Sequence, residues 1–547
     1  MVQPLYWNDT APAQMKKWEQ RLQAIERTVG AILTIVALIM HLRWLGHAGA
    51  LWRDEVATVQ FATMSGPSEI WANLAYDNFP PFLLVPLRAW IAAFGRSDDA
   101  LRWFGFAIGV FSLTAFWTTA MLFKVRAPLV VLAVVGLSPL AVHTIDSIRP
   151  YGLGICLMCL MTGCFWYTVS SRRVAAAALA ATAALLSVQC LYQDIAFLFA
   201  VVCAGMLVAI RARDYRSMWM VIMAAGASVL SLLIHLPHLI AGREWGVVAQ
   251  AEAPLLHLFA VAFAALGESG SLASAGMLTA MVVLPACAVF LCVRNKRLPD
   301  KLFFAATSSL AGCGAYMFLL WQTKLPTQPW YYVIVIAFAA LCLDAASFHS
   351  SNARWARVTF AMLVASTSIS SAWTHTQLRQ TNIDHIAQIV RSSGNAADFV
   401  IVHPWYCGVT WNYYFAGAPG WTTVPPLRDL RIHRYDLLKE QMVRDNQQEV
   451  VGPIIERIRD TLKAGNRVWL VGGLPTAPSG TRVPTLPAAP LGEAKWSGQT
   501  YDTVWGMQIA RFLQEHTLQV DRVAVDTRQP VNPFEDLSLF VLSKWRD

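Results

Sequence analysis

Long apolar runs, separated by short polar segments, fill residues 29–374 of this 547-residue chain. A membrane-spanning helix needs about 20 mostly apolar residues. The runs that approach or reach this length are 29–46, 100–123, 127–143, 152–171, 174–191, 195–210, 217–240, 274–293, 302–320, 329–346 and 355–373. A shorter apolar run, 255–267, is predicted to be re-entrant or to lie at the membrane surface. The pattern therefore predicts a polytopic α-helical membrane protein with about 11 transmembrane helices.

The start of the chain has a different pattern. Within residues 12–28, Met15, Trp18, Leu22 and Ile25 follow the spacing of one helix face, and Lys and Arg residues accompany them. A basic amphipathic helix of this kind is typical of a segment that lies on a membrane surface. Residues 1–28 are therefore predicted to form a cytoplasmic amphipathic helix that precedes the first span.

The tail of the chain, residues 375–547, alternates between two periodicities. Strand-like runs occur at 398–403, 467–471, 520–525 and 537–542. A helical pattern with a glycine stop fills 449–463, and a segment rich in Pro, Gly and Ala, 473–492, is predicted to be a loop. Strands that alternate with helices indicate a small α/β domain.

Composition agrees with a lipid environment. The chain is 56% apolar and 14% charged, with a mean hydropathy of +0.44, whereas soluble domains are about 45–50% apolar and about 25% charged. The net charge of +9 arises between the apolar runs, because the tail holds 18 basic and 17 acidic residues. The apolar composition therefore argues against a soluble enzyme, and the nearly neutral tail argues against a nucleic-acid-binding protein.

The basic residues predict the orientation of the chain in the membrane. They fall in every second loop: Lys124/Arg126, Arg172/Arg173, Arg211/Arg213/Arg216, Arg294/Lys296/Arg297/Lys301 and Arg354/Arg357. Basic loops lie on the cytoplasmic side of a membrane. The sequence thus predicts an inner or plasma membrane protein with a cytoplasmic N-terminus and a periplasmic or extracellular tail. Eleven of the 14 acids in residues 29–374 fall in or beside the outward loops, which indicates a functional site on that face.

The first outward loop, residues 47–99, holds three acids of interest. Asp54 and Glu55 stand at the start of a predicted helix, and Asp77 precedes Pro80 and Pro81. Acids in the first turn of a helix can simply cap it, and an Asp before prolines can form a local turn. Catalysis and these structural roles both remain open from the residues alone.

The next outward loop contains Arg149-Pro150-Tyr151. The planar guanidinium of Arg149 suits phosphate oxygens, and Tyr151 adds a hydroxyl. The alternative is that both residues anchor the chain at the level of the lipid headgroups.

The order of these motifs resembles a known family. Asp54-Glu55 comes first, then Asp77 ahead of the two prolines, then Ala100-Leu101-Arg102, and then the Arg149-Pro150-Tyr151 element. This order is similar to that of membrane-integral glycosyltransferases of the GT-C fold. It resembles in particular the branch of protein O-mannosyltransferases and the bacterial aminoarabinose transferase of lipid A. The tail matches the position of the extracytoplasmic domain of that family.

The resemblance implies a polyprenyl-phosphate sugar donor and a lipid, glycan or protein acceptor. By position it implies that Asp54 is the catalytic base, with Glu55 and Asp77 as the other acids of the site. It also implies that Arg149 and Tyr151 bind the donor phosphate. Three departures exist: Phe82 and Ser147 replace the usual residues, and Lys324 stands near the place of a late Arg-Tyr pair.

The chemistry that these residues could support is a direct displacement with inversion. A carboxylate takes the proton of the acceptor while a cation stabilises the leaving phosphate. No cofactor is assigned, although paired acids together with His47 or His143 could hold a divalent metal ion. Competing interpretations are a transporter or lipid-linked sugar flippase and a non-catalytic membrane assembly factor. Neither accounts as well for acids that cluster on one face.

Overall fold

The computed structural model describes residues 10–249, 254–266, 271–295, 299–324, 326–347, 350–478, 480–489 and 497–547. Helices form the first two thirds of the chain. In chain order they are α1 (Thr10–His47), α2 (Arg53–Ala62), α3 (Pro67–Asn73), α4 (Leu84–Phe94), α5 (Asp98–Leu122), α6 (Leu129–Val131), α7 (Pro139–Asp146), α8 (Pro150–Ser171), α9 (Val174–Cys190), α10 (Ile195–Arg211), α11 (Tyr215–Ser231), α12 (Leu236–Gly246), α13 (Leu255–Leu266), α14 (Ser271–Arg294), α15 (Asp300–Thr323), α16 (Val333–Ala346) and α17 (Ser351–His375).

The prediction of a polytopic helical membrane protein is confirmed, with fewer full-length spans than expected. Among the described residues, eight helices are long and apolar enough to cross a membrane. The run predicted at 127–143 is broken into Leu129–Gly136 and Pro139–Asp146 with an 84° bend, and the number of spans is nine if this bent pair is one span. Of the other predicted spans, α9 has only 17 residues, and α17 is long enough but too rich in polar residues.

Residues 10–28 of the predicted amphipathic start are not a separate element, and residues 1–9 of that prediction lie outside the described residues. Residues 10–28 continue without a break into the first span, as the single 38-residue helix α1. Glu26, on this helix, is fully buried and accepts hydrogen bonds from Arg354 and Arg357 of α17 at 2.5 and 2.6 Å. This ion pairing ties α1 to α17 inside the protein, so this part of α1 does not lie free on a surface.

The tail forms the predicted α/β domain around one five-stranded sheet. The strands are β1 (Phe399–His403), β2 (Gly420–Thr423), β3 (Val468–Gly472), β4 (Thr517–Val523) and β5 (Leu539–Trp545). Their order is β2-β1-β3-β5-β4, with β1 parallel to β2 and β3, and β5 antiparallel to β3 and β4. The helices of this domain are α18 (Ile383–Ser393), α19 (Gly408–Tyr414), α20 (Tyr435–Met442), α21 (Gln448–Lys463) and α22 (Gly498–His516).

Alternation along the central strands explains the two cores of the tail. Phe399 and Ile401 of β1 pack in the cluster that contains α21 and α22, whereas Val400 and Val402 pack against α18 and α19 on the other face. Successive side chains of a strand point to opposite faces, and helices cover both faces here. The four predicted strands are confirmed. Strand β2 was missed, because its Gly-Trp-Thr-Thr run is short and has no apolar alternation.

The tail packs directly on the ends of the membrane helices. Ile432 and Val409 of the tail belong to the same buried cluster as the membrane helices. The backbone N–H of Leu51 donates to the hydroxyl of Tyr414 at 2.7 Å, and that of Gln380 donates to the carbonyl of Ala48 at 2.9 Å. The first loop and the tail therefore meet as one packed interface.

Candidate functional site

The site begins at the first turn of α2, where Asp54 and Glu55 have different roles. Trp52, in extended conformation, precedes the helix, and its backbone N–H donates to the Glu55 carboxylate at 3.2 Å. The Glu55 carboxylate thus caps the backbone N–H that precedes the helix, as the acid of a capping box does, while the indole of Trp52 cannot supply the reciprocal contact. Glu55 therefore has the helix-capping role that was one of the alternatives, whereas the side chain of Asp54 contacts other residues.

Glu55 is fully buried and is held on several sides. The guanidinium of Arg102 in α5 donates to its two oxygens at 2.7 and 3.0 Å, and the backbone N–H of Ile148 donates at 3.1 Å. Glu55 therefore joins α2, α5 and the loop before α8. The structure does not place it on the cavity described below, so its expected catalytic role does not agree with its position. Its contacts hold these three segments together.

Arg149 owes its position to the proline that follows it. Pro150 begins α8, and Arg149 adopts the extended conformation that a residue before proline favours. Its Nη1 donates to the carbonyl of Asp54 at 3.2 Å and to the hydroxyl of Thr58 at 2.8 Å. Its guanidinium also lies over the ring of Phe79, 4.6 Å from the centroid. The buried cation is thereby fixed beside the start of α2.

Asp77 lies on the other side of the same cation. It ends a short 3₁₀ turn, Leu74–Tyr76, in extended conformation, and its Oδ1 is 3.7 Å from Nη2 of Arg149. Burial raises the pKa of Asp77 more than the charge of Arg149 lowers it. Its Oδ1 also accepts the backbone N–H of Asn78 at 2.9 Å. Asp77 therefore makes the local contact of the predicted turn and also lies beside Arg149.

Asp54 has a partner that the sequence did not indicate. Nε2 of His433, from the tail, lies 3.1 Å from Oδ1 of Asp54. Burial raises the pKa of Asp54, but the hydrogen bond from His433 and the charges of Arg149 and Arg53 outweigh it and hold the pKa below its usual range. Asp54 is therefore ionised at neutral pH. Because a carboxylate can only accept a hydrogen bond, Nε2 of His433 carries the proton in this contact.

These side chains enclose one small cavity between the membrane helices and the tail. Its volume is about 150 Å³. Residues that line it from the membrane part include Asp54, Asp77, Arg149, Tyr151 and Tyr331, and the tail contributes His433 and Tyr435. Four of the six predicted site residues therefore meet at one place, which is lined by both acids and a cation.

Lys324 belongs to a neighbouring groove instead. This groove has a volume of about 1060 Å³ and runs between α10, α12 and α15. Apolar side chains such as Phe199, Leu239 and Phe318 line it, together with Arg243 and Lys324. The groove and the small cavity share the residues Asp77, Asn78, Thr323, Tyr331 and Tyr435. The two spaces therefore adjoin, and Lys324 lines only the larger one.

Neither histidine that was considered as a metal ligand lines the cavity. His143 stacks on Trp44 with 3.9 Å between ring centroids, and its Nε2 contacts the carbonyl of His375 at 3.0 Å. Nδ1 of His47 contacts the carbonyl of Arg43 within the same helix at 2.7 Å. Within the described ranges, no three His, Cys, Asp or Glu side chains are grouped so that they could hold a metal ion.

A second tail residue completes the surroundings of α2. Glu535 is fully buried and accepts hydrogen bonds from the backbone N–H of Arg53 at 3.3 Å and from the hydroxyl of Thr410 at 2.9 Å. Burial raises its pKa to about 7, although the charge of Arg53 opposes this. Nothing in the sequence around His433 or Glu535 marked them as site residues, because each is an isolated polar residue brought in by the docking of the tail.

Among known proteins, only solved structures are found to be similar to this chain. No protein-family model and no curated protein matches the chain. ArnT from Cupriavidus metallidurans bound to undecaprenyl phosphate is 13% identical, covers 93% of this chain and 97% of its own, and has a TM-score of 0.46. The Archaeoglobus fulgidus oligosaccharyltransferase tethered with an acceptor peptide is 11% identical over 81% of this chain and 69% of its own, with a TM-score of 0.43. Both are GT-C glycosyltransferases, the class that the sequence motifs resemble. Because both TM-scores are below 0.5, these similarities carry no argument about function. The function is therefore inferred below from the residues of the site.

Proposed function

We propose that this protein is an inverting glycosyltransferase that moves a sugar from a polyprenyl-phosphate donor to an acceptor hydroxyl or amine on the tail side of the membrane. The observation that carries this proposal is the cavity shared by Asp54, Asp77 and Arg149, which adjoins a groove lined by both apolar and polar residues of the membrane helices. A carboxylate, a buried cation and an adjoining groove between membrane helices are features that transfer from a lipid phosphate would use.

Asp54 is the proposed base. Its pKa is held below the usual range, so it is in the ionised form that can accept a proton. The side chain is about one quarter exposed, which leaves it accessible to an acceptor group. General base catalysis by a positioned carboxylate contributes about 10²–10⁴ in rate.

Arg149 is the proposed ligand of the donor phosphate. Its burial lowers its pKa, but Asp77 and Asp54 outweigh this and keep the pKa above its ordinary value, so the guanidinium is charged. Within the described part of the chain its buried Nε has no hydrogen-bond partner, so the protein does not satisfy every donor of this guanidinium. Tyr151 lines the same cavity and adds a hydroxyl.

The groove is the proposed path of the isoprenoid. Its walls are formed by α10, α12 and α15, and its apolar residues would be in contact with lipid chains in a membrane. Lys324 and Arg243 line it as cations. An isoprenoid in this groove would bring its phosphate towards Asp77 and Tyr331, where the groove meets the cavity.

The proposed reaction is one displacement. The acceptor oxygen or nitrogen forms a bond to the anomeric carbon, and its proton moves to Asp54. The bond between the anomeric carbon and the phosphate oxygen breaks, and polyprenyl phosphate leaves with its charge stabilised by Arg149. Attack from the face opposite the leaving group inverts the anomeric carbon. Glu55 takes no part, because it is saturated by Arg102 and Ile148.

The site is poorly suited to a carrier. Its acids lie in loops between the spans and the tail, and the tail itself lines the cavity. Carriers place their substrate site near the middle of the membrane, between repeated halves. The transfer proposal accounts for the tail's contribution, which transport would not require.

The test is reconstitution of the purified protein in vesicles with candidate donors supplied to the tail side. Transfer is expected from a polyprenyl-phosphate sugar and not from a nucleotide sugar. Asp54→Asn should lower the rate by about 10²–10⁴ while the protein folds normally. Asp99→Asn is the matched control, because Asp99 is exposed and does not line the cavity. Transfer from a nucleotide sugar, with none from any lipid donor, would overturn the proposal.

A further inference from the structure

The tail reaches the site through one segment, residues 429–435, which we call the tail arm. Ile432 at its centre is buried in the same cluster as the membrane helices. Tyr435 stacks on Trp245 of α12 with 5.3 Å between ring centroids. Arg434 lies over the ring of Tyr76, 4.4 Å from its centroid. The arm is therefore fixed at several points against the loops that carry the site.

His433 is the residue of this arm that contacts the proposed base. Its Nε2 is 3.1 Å from Oδ1 of Asp54, and it lines the cavity. The side chain is 15% exposed, and the neighbouring ring of Trp405 is 6.3 Å away between centroids. A partly buried ring in this position can hold a carboxylate in one orientation.

Resting on the proposed function, we propose that His433 is a positioning residue for Asp54, so that the tail completes the active site by orienting the base. In the displacement above, His433 exchanges no atoms with substrate. It keeps one oxygen of Asp54 occupied and directs the other towards the acceptor. A misplacement of about 1 Å in a catalytic group can lower a rate about 100-fold.

Other charged groups also face Asp54, and they limit how far removal of His433 can change the pKa of Asp54. Nε of Arg53 in α2 lies 3.8 Å from Oδ1 of Asp54, and Arg149 donates to the backbone carbonyl of Asp54. Asp77 and Glu535 add negative charge from the first loop and the tail, and Tyr151, Tyr331 and Tyr435 add phenols. The hydrogen bond from His433 is the largest of the effects that lower the pKa of Asp54. Its loss should therefore raise that pKa even though both arginines remain.

The experiment compares His433→Ala, His433→Gln and Arg431→Ala with the wild type. Arg431 is a control on the same arm, because its ion pair with Glu69, at 3.3 Å, is largely exposed and should be worth little. His433→Ala should lower kcat about 10- to 100-fold and move the acid limb of its pH profile to higher pH. His433→Gln, which keeps an N–H donor, should restore most of the rate and the profile. Arg431→Ala should resemble the wild type.

A second measurement does not depend on turnover. Labelling of the Asp54 carboxyl by a carbodiimide, read by peptide mass spectrometry over a range of pH, reports protonation of that group. The labelling midpoint should rise in His433→Ala and stay near wild type in His433→Gln. If the wild type transfers no sugar from any donor but the midpoint still rises in His433→Ala, the contact between His433 and Asp54 is supported and the proposed function is overturned. Unchanged midpoints and equal pH profiles in all variants would overturn the role of His433.

Discussion

Arg102 of α5 and Glu55 of α2 form a two-point ion pair, at 2.7 and 3.0 Å, with neither side chain more than 4% exposed. Arg102 also donates to the carbonyls of Gly49 and Ala50. The two residues therefore connect the second acid of the Asp54-Glu55 motif with the arginine of the Ala100-Leu101-Arg102 motif. Two elements that looked like separate sequence signals form one structural unit behind the site.

The first prediction concerns this pair. Glu55→Gln should destabilise the protein by about 3–5 kcal/mol, because it leaves a buried guanidinium without a charged partner. The loss should appear in the melting temperature in detergent. The double variant Glu55→Gln/Arg102→Gln should recover part of it. A Glu55→Gln protein that melts like wild type but transfers no sugar would instead indicate a catalytic role for Glu55.

The second prediction concerns Arg149. Arg149→Lys should weaken competition by free polyprenyl phosphate about 10-fold, because an ammonium cannot make the separate contacts to Thr58 and Asp77 and still bind an anion. Arg149→Ala should weaken it further. Arg96→Lys is the control, since Arg96 is exposed and does not line the cavity. Equal donor binding by Arg149→Ala and wild type would show that Arg149 serves only as an anchor.

The third prediction tests the groove. Ala315→Trp places a large ring on the groove wall of α15 and should raise KM for long-chain lipid donors more than for short-chain ones. Gly314→Trp is the control, because a Cβ added at Gly314 meets no other atom within 4 Å and the residue does not line the groove. An equal effect of both variants, or none for Ala315→Trp, would contradict the assignment of the groove to the lipid chain.

The fourth prediction follows from the pKa of Glu535, which rises from 4.5 to about 7 in the folded protein. Between these values the folded state binds more protons than the unfolded state, so the free energy of unfolding falls as pH rises through this window. Glu535→Gln should remove this part of the pH dependence. Melting temperatures between about pH 5 and 8 measure it, with the exposed neighbour variant Asp536→Asn as control. Parallel curves for Glu535→Gln and wild type would contradict it.

The fifth prediction concerns topology. Basic residues join the loops at the membrane face away from the tail: Arg172 pairs with Asp214 at 2.8 Å, and Arg211 pairs with Asp300 at 3.3 Å. The positive-inside rule predicts that this face is cytoplasmic. A reporter fused after Asp547 should be exported, and one fused after Arg213 should be cytoplasmic. A cytoplasmic reporter after Asp547 would contradict both the orientation and an outer-face site.

The sequence by itself determined the helical membrane part and the α/β tail. Apolar runs of 16 to 24 residues and alternating strand runs are local patterns, which can be recognised without knowledge of the tertiary contacts. Four of the proposed site residues, Asp54, Asp77, Arg149 and Tyr151, were also visible, because each stands beside a proline or a helix start that a local pattern marks.

Only the tertiary structure distinguished Asp54 from Glu55. The two acids are adjacent in the chain, but successive residues of a helix point about 100° apart. One side chain therefore reaches the cavity and the other reaches Arg102. The contacts of His433 and Glu535 with α2 span hundreds of residues. No local pattern encodes such contacts, because they exist only once the tail has packed on the membrane helices.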